Sequence, residues 1–186
     1  IFLNGSLEEL SFDLATQLVV PQSSAKFAVS DFDQDGNLDF VTPGSVEGYT
    51  QVIFGLSSVT ELTYGAGIAL DGSLAPVAAA AGDLDGDGYP DLVTTDRGSD
   101  DLRIFFSQGD RTFTESQSYD VAPRALSVSV TDLNGDGALD IVTADTSTSL
   151  PGVTTLIQGP RDGYLVEIND GQRVHTGLDF GNFRNG

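Results

Sequence analysis

The sequence contains no cysteine, methionine or tryptophan, only one histidine, and only eight basic residues among 186. Without cysteine the chain can form neither disulfides nor thiolate metal sites. Its 28 acidic residues give a formal net charge of −20, and such a surface would repel nucleic acid and anionic membranes. No segment approaches the roughly 20 consecutive apolar residues of a membrane-spanning helix. We therefore expect neither nucleic-acid binding nor membrane insertion.

Residues typical of catalytic sites are also scarce. The single histidine, His175, lies beside Thr176 in a polar segment, where a solvated side chain is the usual interpretation. The sequence has no cysteine nucleophile and no Gly-x-Ser-x-Gly motif. Asp96, Asp100 and Asp101 belong to a glycine-containing segment that predicts an exposed acidic loop. The sequence therefore predicts a protein that is not an enzyme.

Aspartate and glycine, by contrast, are abundant and form one motif that occurs three times. The copies read DFDQDGNLD, DLDGDGYPD and DLNGDGALD, and they begin at Asp31, Asp83 and Asp132. Oxygen-bearing side chains occupy positions 1, 3, 5 and 9. Glycine, which turns sharply without a Cβ penalty, occupies position 6. This spacing can place several hard oxygen ligands around one cation, with the backbone carbonyl of position 7 as a further ligand.

Calcium is the cation that such a loop favours, because Mg²⁺ prefers a stricter octahedron and retains its waters. The motif is not an EF-hand: Thr42, Thr94 and Thr143 replace the glutamate at position 12, and no helical pattern flanks the loops. A solvated Asp/Gly turn could explain a single copy. Three copies in the same context instead favour about three bound Ca²⁺ ions, one per loop.

Short strand-like segments surround every loop. A small, apolar segment precedes each loop, a β-branched one follows it, a third comes some ten residues later, and a more polar fourth follows two of the copies. Segments rich in Val, Ile, Phe and Thr and separated by Gly, Asp and Pro predict strands joined by hairpins. The loops begin 52 and 49 residues apart. We therefore predict an all-β fold of propeller-type, four-stranded blades or a related array.

The repeat divides the chain into five segments. We predict the last two strands of a preceding blade over 1–24, repeats over 25–74, 75–124 and 125–162, and a C-terminal β-hairpin over 163–186. The chain then holds about three and a half blades and begins in mid-blade, as expected for part of something longer. Propellers typically close with about four to eight blades, so exposed strand edges would need a partner.

The C-terminal segment allows two interpretations. Its sequence from Gly163 to Phe183 resembles the closing hairpin of an Ig-like B-type module of bacterial surface proteins, which often ends in a similar Phe-Gly-Asn. Alternatively, Tyr164 to Ile168 forms the fourth strand of the last blade and a tail follows. Both interpretations remain open at this point.

The three loops and their flanking strands resemble the FG-GAP/VCBS repeats of integrin α-chain propellers and of many large bacterial surface proteins. The resemblance covers about residues 1–160, and its specific part is the threefold Asp-x-Asp/Asn-x-Asp-Gly-x-x-Asp. The Phe-Gly that names the family occurs once, as Phe54-Gly55. The resemblance implies a seven-bladed ring. It also implies calcium binding by Asp31, Asp33, Asp35, Asn37 and Asp39; by Asp83, Asp85, Asp87, Tyr89 and Asp91; and by Asp132, Asn134, Asp136, Ala138 and Asp140.

These observations favour an extracellular, calcium-stabilised structural or adhesive module, since weak oxygen cages fill where Ca²⁺ is about millimolar. We expect it to belong to a larger surface protein or to a self-assembling fibre. Its partners would be other copies, joined head-to-tail or in a ring, or the remaining blades of a longer chain. The alternatives are a propeller that binds a glycan or a surface protein, with Tyr49, Tyr64 and Tyr89 in or near loops, and a non-catalytic accessory domain of a secreted enzyme.

Overall fold

The computed structural model describes residues 20, 26–56, 63–115, 118–146, 152–159, 167–169 and 174–176. Over these residues the chain forms β-strands only, and every pairing between two strands is antiparallel. No helix there is long and apolar enough to cross a membrane. The all-β prediction is confirmed. The half-blade predicted over 1–24 lies, except for Val20, outside the described residues.

The first sheet has four strands in sequence order, as expected for a blade built from consecutive hairpins. They are β1 (Ala28–Ser30), β2 (Asp39–Gly44), β3 (Tyr49–Ile53) and β4 (Ile68–Leu70).

The second sheet repeats this order with an interrupted fourth strand. Its strands are β5 (Pro76–Gly82), β6 (Asp91–Asp96), β7 (Asp101–Ser107), β8 (Phe113–Glu115) and β9 (Tyr119–Asp120). Both β8 and β9 pair with β7, β8 at its C-terminal end and β9 at its N-terminal end. The two short strands together therefore take the place of one fourth strand.

The third sheet has one strand more than the predicted four. Its order is β10 (Ala125–Thr131), β11 (Asp140–Asp145), β12 (Val153–Ile157), β13 (Glu167–Asn169) and β14 (Val174–Thr176). From the C-terminal segment, β13 takes the fourth position. The next strand, β14, pairs with the free edge of β13, whose unpaired backbone groups favour such an addition.

The middle sheet is buried on both faces, between the first and third sheets. Because successive side chains along a strand point to opposite sides, sequence neighbours lie in different cores. Leu92 and Phe105 pack toward the first sheet. Val93 and Ile104, each the sequence neighbour of one of these, pack toward the third. The result is two hydrophobic cores, one between each pair of consecutive sheets.

The first strands of the sheets lie side by side. Lys26, just before β1, forms a parallel bridge with Ala78 of β5, and the N–H of Ala79 donates to the carbonyl of Lys26 at 3.1 Å. β5 also contacts β10. Small residues make this close approach possible, since a Cβ on Gly82 would lie 2.9 Å from side-chain atoms of Val130 and Leu139.

The prediction of an exposed loop at Asp96 and Asp101 is wrong. Both carboxylates are buried, Asp96 at the end of β6 and Asp101 at the start of β7. Asp96 accepts hydrogen bonds from the backbone N–H groups of Leu74 and Ala75 and so ties the segment before β5 to the β6–β7 turn. Sequence alone cannot distinguish this bracing role from a solvated turn, because its partners lie more than twenty residues away.

Candidate metal centres

The three acidic loops occupy the same place in the three sheets, each joining the first strand to the second. The glycine at position 6 adopts positive φ in every loop, as the sequence predicts. The values are 89° for Gly36, 93° for Gly88 and 87° for Gly137. An L side chain is unfavourable in this left-handed region, which explains why glycine recurs there.

Position 4 also requires a left-handed conformation, which the sequence alone did not indicate. Gly86 and Gly135 provide it in the second and third loops, whereas Gln34 adopts φ 54° in the first. A glutamine is strained in this region. Its side chain compensates by donating to the carbonyl of Gly88 in the second loop at 2.5 Å. Gln34 therefore links the first loop directly to its neighbour.

The carboxylate at position 1 holds each loop closed by accepting two backbone N–H groups. Asp83 accepts from Gly86 and Gly88, at positions 4 and 6, at 2.5 and 3.1 Å, and Asp132 accepts from the same two positions of its loop. Asp31 accepts from positions 5 and 6 instead. These hydrogen bonds, from Gly137 first and Gly135 next, lower the pKa of Asp132. These hydrogen bonds thus orient the position 1 carboxylate into the loop.

Positions 3 and 5 form consecutive Asx turns. In each loop the position 3 oxygen accepts the N–H of position 5, and the position 5 oxygen accepts the N–H of position 7, at 2.8–3.2 Å. Aspartate and asparagine both supply this acceptor, so Asn134 replaces Asp33 and Asp85 without changing the turn. The hydrogen bond from Asn37 lowers the pKa of Asp35.

The carboxylate at position 9 braces each sheet internally. Asp39, Asp91 and Asp140 are fully buried at the start of the second strand. In each, Oδ2 accepts the N–H of position 2 at 2.7–2.8 Å. Oδ1 accepts an N–H at the end of the third strand at 2.8–3.0 Å. One side chain therefore connects the loop to the third strand.

Burial makes two of these carboxylates, Asp39 and Asp91, weaker acids than usual. Desolvation raises the pKa of Asp91 to about 7, although hydrogen bonds from Leu84 and Ser107 partly oppose it. Desolvation also raises the pKa of Asp39, and the nearby charges of Asp33 and Asp31 add to it. A cation in the loop would oppose both effects by favouring the ionised form.

The loops bring together three of the predicted carboxylate ligands in two of the copies. One oxygen from each of positions 1, 3 and 9 lies within 4.8 Å of the others in the groups Asp31, Asp33, Asp39 and Asp83, Asp85, Asp91. The position 5 carboxylates, Asp35 and Asp87, are not members of these groups. In the third loop Asn134 supplies an amide oxygen at position 3, so Asp132 and Asp140 are not part of a three-carboxylate group.

The donor set fits a hard divalent cation. All of its members are oxygens, two of the loops offer three converging carboxylates, and each carboxylate oxygen that accepts an N–H retains a second lone pair. Acidic clusters of this kind could bind a metal ion through the residues that the sequence motif predicts.

Two side chains at equivalent positions connect the first and second loops to the next sheet. Ser107 Oγ donates to the carbonyl of Phe32 at 3.0 Å, and Gln158 Nε2 donates to the carbonyl of Leu84 at 3.0 Å. Ser107 and Gln158 are the residues whose own N–H groups bind the position 9 carboxylates of their sheets. Sequence reasoning missed them, because they lie 16 and 18 residues after Asp91 and Asp140, outside the loop motif.

Arg111 is the one described cation that reaches into a loop. It lies between β7 and β8 of the second sheet, yet its guanidinium binds Asp33 at 2.5 Å and Asp35 at 3.1 Å in the first loop. It also lies over the ring of Phe54 at 5.1 Å. No sequence signal indicated this pairing, because the partners are 76 and 78 residues apart.

Repeated antiparallel sheets of four or five strands, with an acidic loop at the same place in each, define a protein of propeller-type blades. A family model described as an FG-GAP-like repeat matches residues 31–94 and again 83–143, which together cover more than half of the sequence. The chain belongs to the FG-GAP-like repeat family.

No curated protein matches the sequence. A crystal structure of a protein from Lactobacillus plantarum is similar over 86% of this chain, with 9% identity and a TM-score of 0.42. The present chain spans only 56% of that protein. A likeness at this level carries no argument about function.

Proposed function

We propose that the protein is an extracellular, calcium-stabilised structural or adhesive module without catalytic activity. The observation that carries this proposal is the convergence of three carboxylates in each of two loops, at the joint between the first two strands of a sheet. A divalent cation bound there would neutralise the repulsion between these carboxylates and fix the register of the hairpin. Weak oxygen sites of this type suit the calcium concentration outside cells.

The ligands in this proposal are those that the motif predicts: the side chains at positions 1, 3, 5 and 9 and the carbonyl at position 7 of each loop. Positions 1, 3 and 9 are already close together in the first two loops. In the third loop Asn134 provides an uncharged ligand, so we expect that loop to bind calcium most weakly.

Calorimetric titration with Ca²⁺ tests this function. We expect about three sites with roughly micromolar to millimolar affinity, and Asp33→Ala, Asp85→Ala and Asn134→Ala should each remove one. Asp71→Ala is the matched control, because Asp71 is an exposed acidic residue outside the loops, and it should leave all sites intact. A folded chain that releases or absorbs no heat with Ca²⁺, and whose melting temperature Ca²⁺ leaves unchanged, would refute the proposal.

Glycan or protein binding through loop tyrosines is the second candidate from the sequence, and two of the three tyrosines pack against other residues of the chain. Tyr64 packs edge-on against Phe40, with ring centroids 5.4 Å apart. Tyr89 lies so close to Gly109 that a Cβ there would be 2.3 Å from its ring. Both rings are therefore engaged in packing within the protein.

Arg111 should weaken calcium binding at the first loop, because its positive charge already neutralises Asp33 and Asp35. We expect Arg111→Gln to raise the affinity of one site by about two- to fivefold, the size of an exposed ion pair. Arg97→Gln, which removes an exposed arginine elsewhere in the second sheet, is the control and should change nothing. If calorimetry shows weaker binding in Arg111→Gln, Arg111 supports the loop instead of competing with the cation.

A further inference from the structure

Each blade has two apolar faces that can be defined from the repeat. The preceding face consists of the residues four and two positions before the acidic loop and the residue directly after it. The following face consists of loop position 2, the residue two positions after the loop, and one residue near the start of the third strand. In the second sheet these are Ala79, Ala81 and Leu92, and then Leu84, Val93 and Leu102.

Inside the molecule, the following face of one blade always packs on the preceding face of the next. Phe32 and Val41 of the first sheet pack in one core with Ala79 and Leu92 of the second. Leu84, Val93 and Leu102 of the second sheet form the other core with Ile141, against which Val128 and Val130 also pack. The same pair of surfaces thus meets twice within one chain.

The preceding face of the first sheet has the same pattern but is exposed. Phe27 is 61% exposed, whereas its equivalent Ala79 is 8% exposed. Val29 is also exposed. The ring of Phe27 lies 6.2 Å from that of Phe40, which in turn contacts Tyr64, so the face presents a row of aromatic side chains.

The following face of the third sheet is exposed in the same way. Leu133 is 46% exposed, although its equivalent Leu84 is completely buried. Val153 is exposed as well, and its equivalent Leu102 is completely buried. Val142, which corresponds to the buried Val93, is half-buried. The two ends of the described chain therefore present the two complementary halves of the internal blade interface.

We propose that the following face of the third sheet docks against the preceding face of the first sheet of a second copy of this chain. This inference identifies a second copy as the partner in the structural function proposed above, and it rests on that function. The contact would continue the blade stacking seen within the chain, because it joins the same two kinds of face in the same order. Since the two faces differ, the contact is heterologous, and repetition yields a ring or a filament.

Paired substitutions test this contact by light scattering after size exclusion, in millimolar Ca²⁺ and enough salt to screen the chain's charge. Wild type should assemble, with a mass that rises with concentration. Phe27→Glu and Val153→Glu should each be monomeric alone, because each lacks one of the two faces. Mixed in equal amounts, they should form a complex of two chains, since one intact face remains on each. Val46→Glu, which changes an exposed valine outside these faces, should assemble like wild type.

Three results would overturn the proposal. One is a wild-type chain that stays monomeric up to its highest soluble concentration, as expected if the N-terminal segment of the same chain covers the face. Another is assembly of Val153→Glu alone, which indicates contact between two preceding faces. The third is a mixture that remains monomeric. Phe27→Ser and Val153→Ser replace either variant that does not fold. Calorimetry on the same variants separates this inference from calcium binding, which should be unchanged.

Discussion

Replacing Asp91 with alanine is expected to destabilise the protein by about 2–4 kcal/mol even in EDTA, where no cation is bound. Its two oxygens accept the N–H groups of Leu84 and Ser107, and all three residues are buried. Each hydrogen bond to a charged acceptor contributes roughly 1.5–3 kcal/mol, and the desolvation of the carboxylate offsets part of the sum. Urea unfolding followed by tyrosine fluorescence or circular dichroism measures the change, since the chain has no tryptophan.

Matched variants separate bracing from metal binding. Asp71→Ala, an exposed residue outside the loops, should change the free energy of unfolding by less than about 0.5 kcal/mol. Asp91→Asn retains one acceptor oxygen, so in EDTA it should lower the free energy of unfolding by less than Asp91→Ala does. Asp140→Ala removes the same two hydrogen bonds in the third sheet and should behave like Asp91→Ala. An unchanged urea midpoint for Asp91→Ala in EDTA would show that the carboxylate has no bracing role.

Position 9 could be predicted from the sequence as a metal ligand, but not as a brace between the loop and the third strand. The motif predicted the loops, their place between the first and second strands, and glycine at position 6, because all of these depend on residues close together in sequence. The N–H of Ser107, sixteen residues after Asp91, binds the carboxylate only because β7 ends beside the loop. Spacing between ligands carries no information about such a partner.

Contacts between blades were the least predictable feature. Ser107 with Phe32, Gln158 with Leu84 and Arg111 with Asp33 all join residues that are more than seventy positions apart. The repeat itself predicts that blades stack, because central strands such as β6 carry apolar side chains on both faces, Leu92 on one and Val93 on the other. Which polar side chains cross the joint depends on the third-strand ends and the following turns, where the three copies differ in sequence.

Removing calcium at neutral pH should lower the melting temperature by at least about 10 °C. A site filled at a hundred times its dissociation constant adds about 2.7 kcal/mol to the free energy of unfolding, so two such sites add about 5.4 kcal/mol. Because 1 kcal/mol shifts the melting temperature of a chain this size by about 2–4 °C, two filled sites already account for about 10 °C. Differential scanning calorimetry in millimolar Ca²⁺ and in EDTA measures the shift. Equal amounts of Mg²⁺ should stabilise less, because the loops offer few of the water positions that Mg²⁺ retains.

The loss of stability on calcium removal should grow with pH, because the buried carboxylates ionise as pH rises. Burial raises the pKa of Asp91 to about 7 and also raises the pKa of Asp39, whereas in the unfolded chain both ionise near 3.8. At pH values between the unfolded and folded pKa, the folded state binds more protons than the unfolded chain. Without a cation, the free energy of unfolding therefore falls as pH rises from about 4 to 7. Bound calcium supplies the missing positive charge and should abolish that decline.

Urea unfolding at pH 5, 6, 7 and 8, with and without EDTA, measures this difference directly. In EDTA the Asp91→Asn variant should lose most of the pH dependence, because amide and carboxylate have similar shapes but only the carboxylate titrates. Asp71→Asn, an exposed and distant change, should keep the wild-type profile. A metal-free wild-type chain that is equally stable at pH 5 and pH 8 would mean that the buried carboxylates stay ionised throughout, and calcium would then stabilise the loops by ligation alone.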